Sequence, residues 1–101
     1  MATTTKALYR NAASTTTTTT LYTVPASTTT IVTNVVVCNT SSSAQTFVLT
    51  LDGVHMAYNQ SIAANSSAYF DLKQVLAAAK TIAGGASATS VTFHISGVEV
   101  A

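Results

Sequence analysis

The stretch Gln45-Thr46-Phe47-Val48-Leu49-Thr50-Leu51-Asp52-Gly53-Val54-His55-Met56-Ala57-Tyr58 reads as a β-hairpin, and that reading decides the fold. Asp52-Gly53 is a two-residue turn of the kind whose positive φ values suit right-twisted strands. Pairing outward from it sets Leu51 opposite Val54, Leu49 opposite Met56 and Phe47 opposite Tyr58 on one face. Thr50 opposite His55 and Val48 opposite Ala57 occupy the other. A period of two then makes the first face core and the second wetter.

Upstream, Leu21-Tyr22-Thr23-Val24 is a short strand closed by Pro25, which cannot donate to a ladder. A longer strand runs from Thr29 to Asn39; its apolar residues fall on both parities, as in a strand covered on both faces or facing a partner. Thr40 to Ala44 is a loop. Downstream come Ile62, a polar turn at Asn65-Ser66-Ser67, and Tyr69-Phe70-Asp71-Leu72. Leu72, Val75, Leu76 and Ala79 have helical spacing, so the segment from Leu72 to Ile82 is expected to hold at most a turn or two of helix. Gly84-Gly85 is expected to open a loop ending near Thr89. The last strand alternates Val91, Phe93 and Ile95, then switches parity to Val98 and Val100, which predicts a β-bulge at Gly97. These pieces make an all-β fold: a single β-sandwich or jelly-roll-like domain of seven or eight short antiparallel strands. The threonine-rich start is read as an extended N-terminal arm over 1–14, leaving 15–101 as the sandwich.

The 101 residues allow one domain with one core. Charged residues are only 7% of the chain, against about 25% in an ordinary soluble protein. With a formal net charge of +1, copies repel one another weakly, which suits a protein that works packed into an assembly. The cations Lys6, Arg10, Lys73 and Lys80 are too dispersed to neutralise a run of phosphates, which argues against nucleic acid as a partner. No apolar run approaches the ~18 residues of a membrane-spanning helix, so no membrane partner is expected. Met1 to Arg10 lacks the apolar core of a secretory signal, and synthesis in the cytoplasm is expected. The Asn-x-Ser/Thr triplets at Asn39, Asn59 and Asn65 therefore carry no weight as glycosylation sites.

The side chains that chemistry needs are sparse. Of the acids, Asp52 is explained by the hairpin turn, whereas Asp71 borders the ambiguous segment and Glu99 is read on the outward parity of the last strand. They do not suggest a converging carboxylate pair. His55 and His94 sit on the polar parities of different strands, and Cys38, within Val35-Val36-Val37-Cys38, is read as a small buried hydrophobe. No set with zinc-ligand spacing results. The serines lack a Gly-x-Ser-x-Gly elbow, and Gly84-Gly85 lacks the lysine of a phosphate loop. No catalytic, cofactor-binding or metal-binding residue is expected, and no enzyme activity.

The runs Leu21-Tyr22-Thr23-Val24-Pro25-Ala26, Thr30-Ile31-Val32-Thr33-Asn34-Val35-Val36-Val37-Cys38-Asn39 and Phe93-His94-Ile95-Ser96-Gly97-Val98-Glu99-Val100 resemble a group of small virion proteins of tailed bacteriophages. The resemblance covers most of the chain from Tyr9 onward. It implies a β-sandwich accessory component of the virion, made in the host cytoplasm: a capsid decoration protein, or a tail or collar component. The implied partners are the major capsid protein or other virion proteins, and copies of the chain itself in a homo-oligomer. Two departures stand out. Such sequences tend to carry glycine after Pro-Ala, where this chain has Ser27, and Gly-Asp before Thr-Ile, where it has Ala79-Lys80. The second departure favours the helical reading of 72–79.

Within that role, Lys6, Tyr9 and Arg10 are the expected interaction residues, with Tyr9 anchoring the arm on a neighbouring subunit or the shell. A carbohydrate-binding host-surface module is a further alternative. It would need exposed aromatics, and its candidates, Tyr58 and Tyr69, are read here as core or core-edge residues.

Overall fold

A computed structural model describes residues 3–101. Eight strands form it: β1 (Thr3–Ala12), β2 (Thr20–Thr23), β3 (Thr29–Asn39), β4 (Gln45–Leu51), β5 (Val54–Ile62), β6 (Ser66–Leu76), β7 (Thr81–Ala86) and β8 (Val91–Val100). They make two four-stranded antiparallel sheets, ordered β1-β8-β3-β6 and β2-β7-β4-β5. Consecutive strands alternate between sheets except at the β4–β5 hairpin, and the first and last strands are neighbours. This is the strand order of a jelly roll, a β-sandwich built from two Greek keys.

The core lies between the sheets because each strand turns one parity inward. Val35, Val37, Val91, Phe93 and Ile95 of the first sheet face Phe47, Leu49 and Ile82 of the second, all at 1% exposure or less. Phe47 meets Phe93 and Phe70 edge-on, at centroid distances of 6.2 and 6.1 Å. Asn39 is the polar exception at the end of β3. Its amide donates to the carbonyls of Ser43, Ile62 and Ala63, and its oxygen accepts from the Ser41 amide, so burial leaves it satisfied.

Four expectations change. The segment 1–14, read as an arm, is described from Thr3 onward, and there it is an edge strand on β8 with Leu8 and Ala13 in the core. Residues 1 and 2 lie outside the described residues. The parity switch at Gly97 is not a bulge of β8, which alternates regularly to Val100; the extra residues are Leu8 on β1 and Thr33 on β3. Leu8 turns inward over Gly97, where a Cβ would stand 2.9 Å from its Cδ1 and 2.5 Å from the Ile31 carbonyl oxygen.

No helix occurs among the described residues. The helical spacing of 72–79 is overridden by pairing: Gln74, Val75 and Leu76 continue β6 against Val32, Ile31 and Thr30. Gly84-Gly85 is not a loop but the middle of β7, between β2 and β4.

Both departures from the phage-protein pattern fall on left-handed backbone, Ser27 at φ 58° and Ala79 at φ 69°. The chain needs this at Ala79 to turn from β6 into β7 while the Ala79 amide donates to the Val24 carbonyl at 3.1 Å. A Cβ is costly in that conformation and glycine is not. Ala79→Gly is therefore expected to stabilise the domain by about 0.5–1 kcal/mol, read as a raised midpoint in thermal or urea unfolding. A lowered midpoint would mean that the turn is built differently.

Candidate functional site

The expected interaction residues share β1 but not one environment. Lys6 pairs with Glu99 at 3.4 Å. The Tyr9 hydroxyl donates to the Ala12 carbonyl at 2.8 Å and its ring packs on the core edge. Arg10 is exposed, beside His94 across the strand pair, and makes no ion pair among the described residues. Of the three, only Arg10 presents its charge to a partner without first breaking a contact.

The outer face of the first sheet carries Arg10, His94, Val36 and Tyr69 in one cross-strand row, and Thr5, Val98, Ile31 and Val75 in another. Tyr69 is 73% exposed and Val75 66%. Cys38 also lies on this face, half-buried, and not in the core as expected, because it alternates with Val37 and Asn39, which point inward. The two parities of β3 that looked doubly covered are thus one core face and one apolar outer face. His55 lies on the opposite side of the sandwich from His94. Among the described residues no three of His, Cys, Asp and Glu cluster as metal ligands would.

Glu99 also departs from expectation. With β8 regular, it points inward, and its carboxylate accepts hydrogen bonds from the Tyr22 hydroxyl of the other sheet and from Lys6. Tyr22 also bonds the hydroxyl of the buried Thr30 at 2.8 Å. A bulge of β8 at Gly97 would instead turn Glu99 to the outer face. The Tyr22 hydrogen bond holds the Glu99 carboxyl below its ordinary value, with burial opposing and the Lys6 ammonium assisting. Burial raises the Tyr22 phenol, and its bond to Glu99 adds to the rise.

A depressed carboxyl contributes stability that is complete above its unfolded value and is lost as pH falls through the folded one. The raised phenol contributes stability that is complete below its unfolded value and is lost as pH rises through the folded one. Glu99→Gln is therefore expected to lower the melting temperature at neutral pH and to flatten its decline on acidification. A parallel acid limb in parent and variant would remove Glu99 from the account.

A cleft of about 400 Å³ opens on the outer face of the second sheet. Val48, Thr50 and Ala83 floor it, Thr17 and Thr18 of the β1–β2 connection form one wall, and His55, Tyr58 and Asn59 of β5 form the other. Tyr58 is here, and not in the core, because the hairpin slips once before it, at Met56, and a second time only at Tyr58-Asn59. Leu51 opposite Val54 and Thr50 opposite His55 hold as expected, but Leu49 pairs with Ala57 and Phe47 with Gln60. Met56 is one extra residue; Tyr58 and Asn59 together oppose Val48, with Asn59 at φ 47°. Bulges of this kind re-aim side chains. Tyr58 ends 69% exposed, its ring 4.8 Å from that of His55 and nearly perpendicular to it. No residue in the hairpin other than Asn59 signals the slip, so a period of two misplaces Tyr58.

No protein-family model and no curated protein matches the chain. Among solved structures, it is similar to a pentameric capsid protein isolated from metagenomic phage sequences, at 17% identity and a TM-score of 0.37 over 96% of this chain and 58% of that one. A second structure described in the same way gives 21% identity and a TM-score of 0.34, over 96% and 59%. The chain spans less than two thirds of the length of either.

Proposed function

We propose that this chain is a non-enzymatic structural protein of a tailed-bacteriophage particle, a capsid decoration protein that binds the assembled shell as a homo-oligomer. The observation that carries this reading is the outer face of the first sheet. On a chain with so few charges, that face exposes Tyr69 and Val75 beside Ile31, Val98 and Val36, the mixture of aromatic and aliphatic side chains that fills the centre of protein interfaces. The three runs that resemble small virion proteins supply the phage context. Jelly rolls also serve lectins and cupins, so the architecture is compatible with the reading without selecting it.

Among the residues first expected to interact, Arg10 borders this face and is available to an acidic group on the shell or on a neighbouring copy. The outer edge of β1 has no partner strand within the described residues and can take one from a neighbour, so Lys6 and Tyr9 would serve by holding that edge in place.

The test is the ratio of this protein to major capsid protein in purified particles. A stoichiometry near that of the shell subunits supports decoration. A single ring's worth of copies places the chain on the tail or collar, and absence from particles overturns the virion reading.

A further inference from the structure

We infer that the cleft beside Tyr58 is a binding site for a neutral saccharide. It lies on the sheet opposite the face assigned above to the shell, and the inference stands whether or not the chain resides on a particle. No lysine, arginine, aspartate or glutamate lines the cleft. A phosphate or carboxylate ligand would find no lysine or arginine there, and an ammonium no carboxylate. The walls carry threonine hydroxyls and the Asn59 amide, both donors and acceptors, which a purely hydrocarbon ligand would leave unpaired.

One ligand class matches a wall of hydroxyls facing an open aromatic ring: a sugar, with hydroxyls around its rim and a C–H face to lie on Tyr58. The ring is prepared for such a ligand. His55 meets it in a T-shaped arrangement at 4.8 Å, and the slip of β5 at Met56 turns it away from the core, where the unslipped pairing would have buried it. The threonine methyls, Val48 and Ala83 give the cleft an apolar base under the polar rim, and its volume falls within the ~300–1,000 Å³ of small-molecule sites.

The test is saturation-transfer NMR on the full chain, with methyl glycosides of glucose, galactose, N-acetylglucosamine and rhamnose at millimolar concentration and caffeine as an uncharged control that carries no sugar. At least one glycoside is expected to receive saturation at its ring C–H protons and caffeine none. Tyr58→Ala is expected to weaken that binding by roughly tenfold or more, Tyr58→Phe to retain it, and Tyr69→Ala, similarly exposed but on the other sheet, to leave it unchanged.

Ala83→Leu fills the floor without touching the aromatic ring and is expected to abolish binding. It carries the test should Tyr58→Ala fail to fold. No glycoside binding, equal binding of caffeine, or binding that survives in Ala83→Leu overturns the inference. Loss of binding in Tyr69→Ala would move the site to the other sheet and overturn it as well.

Discussion

Gly84→Ala is expected to cost about 3 kcal/mol or more and to lower Tm by roughly 15 °C, although it adds a single methyl group. Gly84 sits on the inward face of β7 opposite Leu49. A Cβ there would stand 2.2 Å from the Val48 carbonyl oxygen and 3.1 Å from Leu49 Cδ2. The first contact is with backbone in the adjacent strand, which moves only if the β4–β7 pairing opens. The strand cannot retreat the other way without stretching the bond from the Gly84 amide to the Thr19 carbonyl, 2.9 Å long.

Two other glycines calibrate the result. At Gly85 the obstructing atoms are the Ser14 and Thr16 carbonyl oxygens, 2.5 and 2.7 Å away. They belong to a connection between strands that can shift, so Gly85→Ala is expected to cost less. At Gly53 a Cβ would meet nothing within 4 Å, and φ is 73°; Gly53→Ala bears only conformational strain, about 1 kcal/mol. Urea unfolding of the three variants should rank them in that order. Gly84→Ala no worse than Gly53→Ala would mean that β7 does not approach β4 as closely as the structure has it.

The same residues show why the sequence was legible in part. β3 was bounded correctly because Pro25 and the Ser41-Ser42-Ser43 loop punctuate a β-branched run, and the Asp52-Gly53 turn was visible because its two positive φ values need those residue types. A Gly-Gly pair ordinarily marks a loop. Here it marks close approach, and only the neighbouring strand and crossing connection, distant in sequence, reveal which. Alternation likewise locates strands but does not count bulges. The slip at Met56 moves an aromatic residue from core to cleft, and the bulge at Thr33 of β3, in place of one on β8, turns Glu99 inward. The candidate sites were therefore the least legible features: each depends on the side of a sheet to which a strand turns after an irregularity.

Phe47→Ala should have an effect of similar size for the opposite reason, by removing matter. Phe47 is the side chain of the second sheet that reaches between two rings of the first, with Phe70 and Phe93 both meeting it at an interplanar angle of 68°. It is 1% exposed, and Phe93 is fully buried. Truncation to alanine leaves a cavity that backbone hydrogen bonding in both sheets keeps from collapsing, and the expected loss is about 3–5 kcal/mol. For a domain whose total stability is on the order of 5–15 kcal/mol, such a loss brings unfolding close to ambient conditions. The edge-on contact itself contributes a coupling of about 0.5–1.5 kcal/mol beyond area burial. A double-mutant cycle pairing Phe47→Leu with Phe93→Leu should therefore be non-additive by that amount. The exposed Tyr69 provides the contrast, since Tyr69→Ala is expected to change stability by no more than about 0.5 kcal/mol. Additive costs at Phe47 and Phe93 would show that the two rings do not meet, and with them would go the packing that holds the two sheets in register.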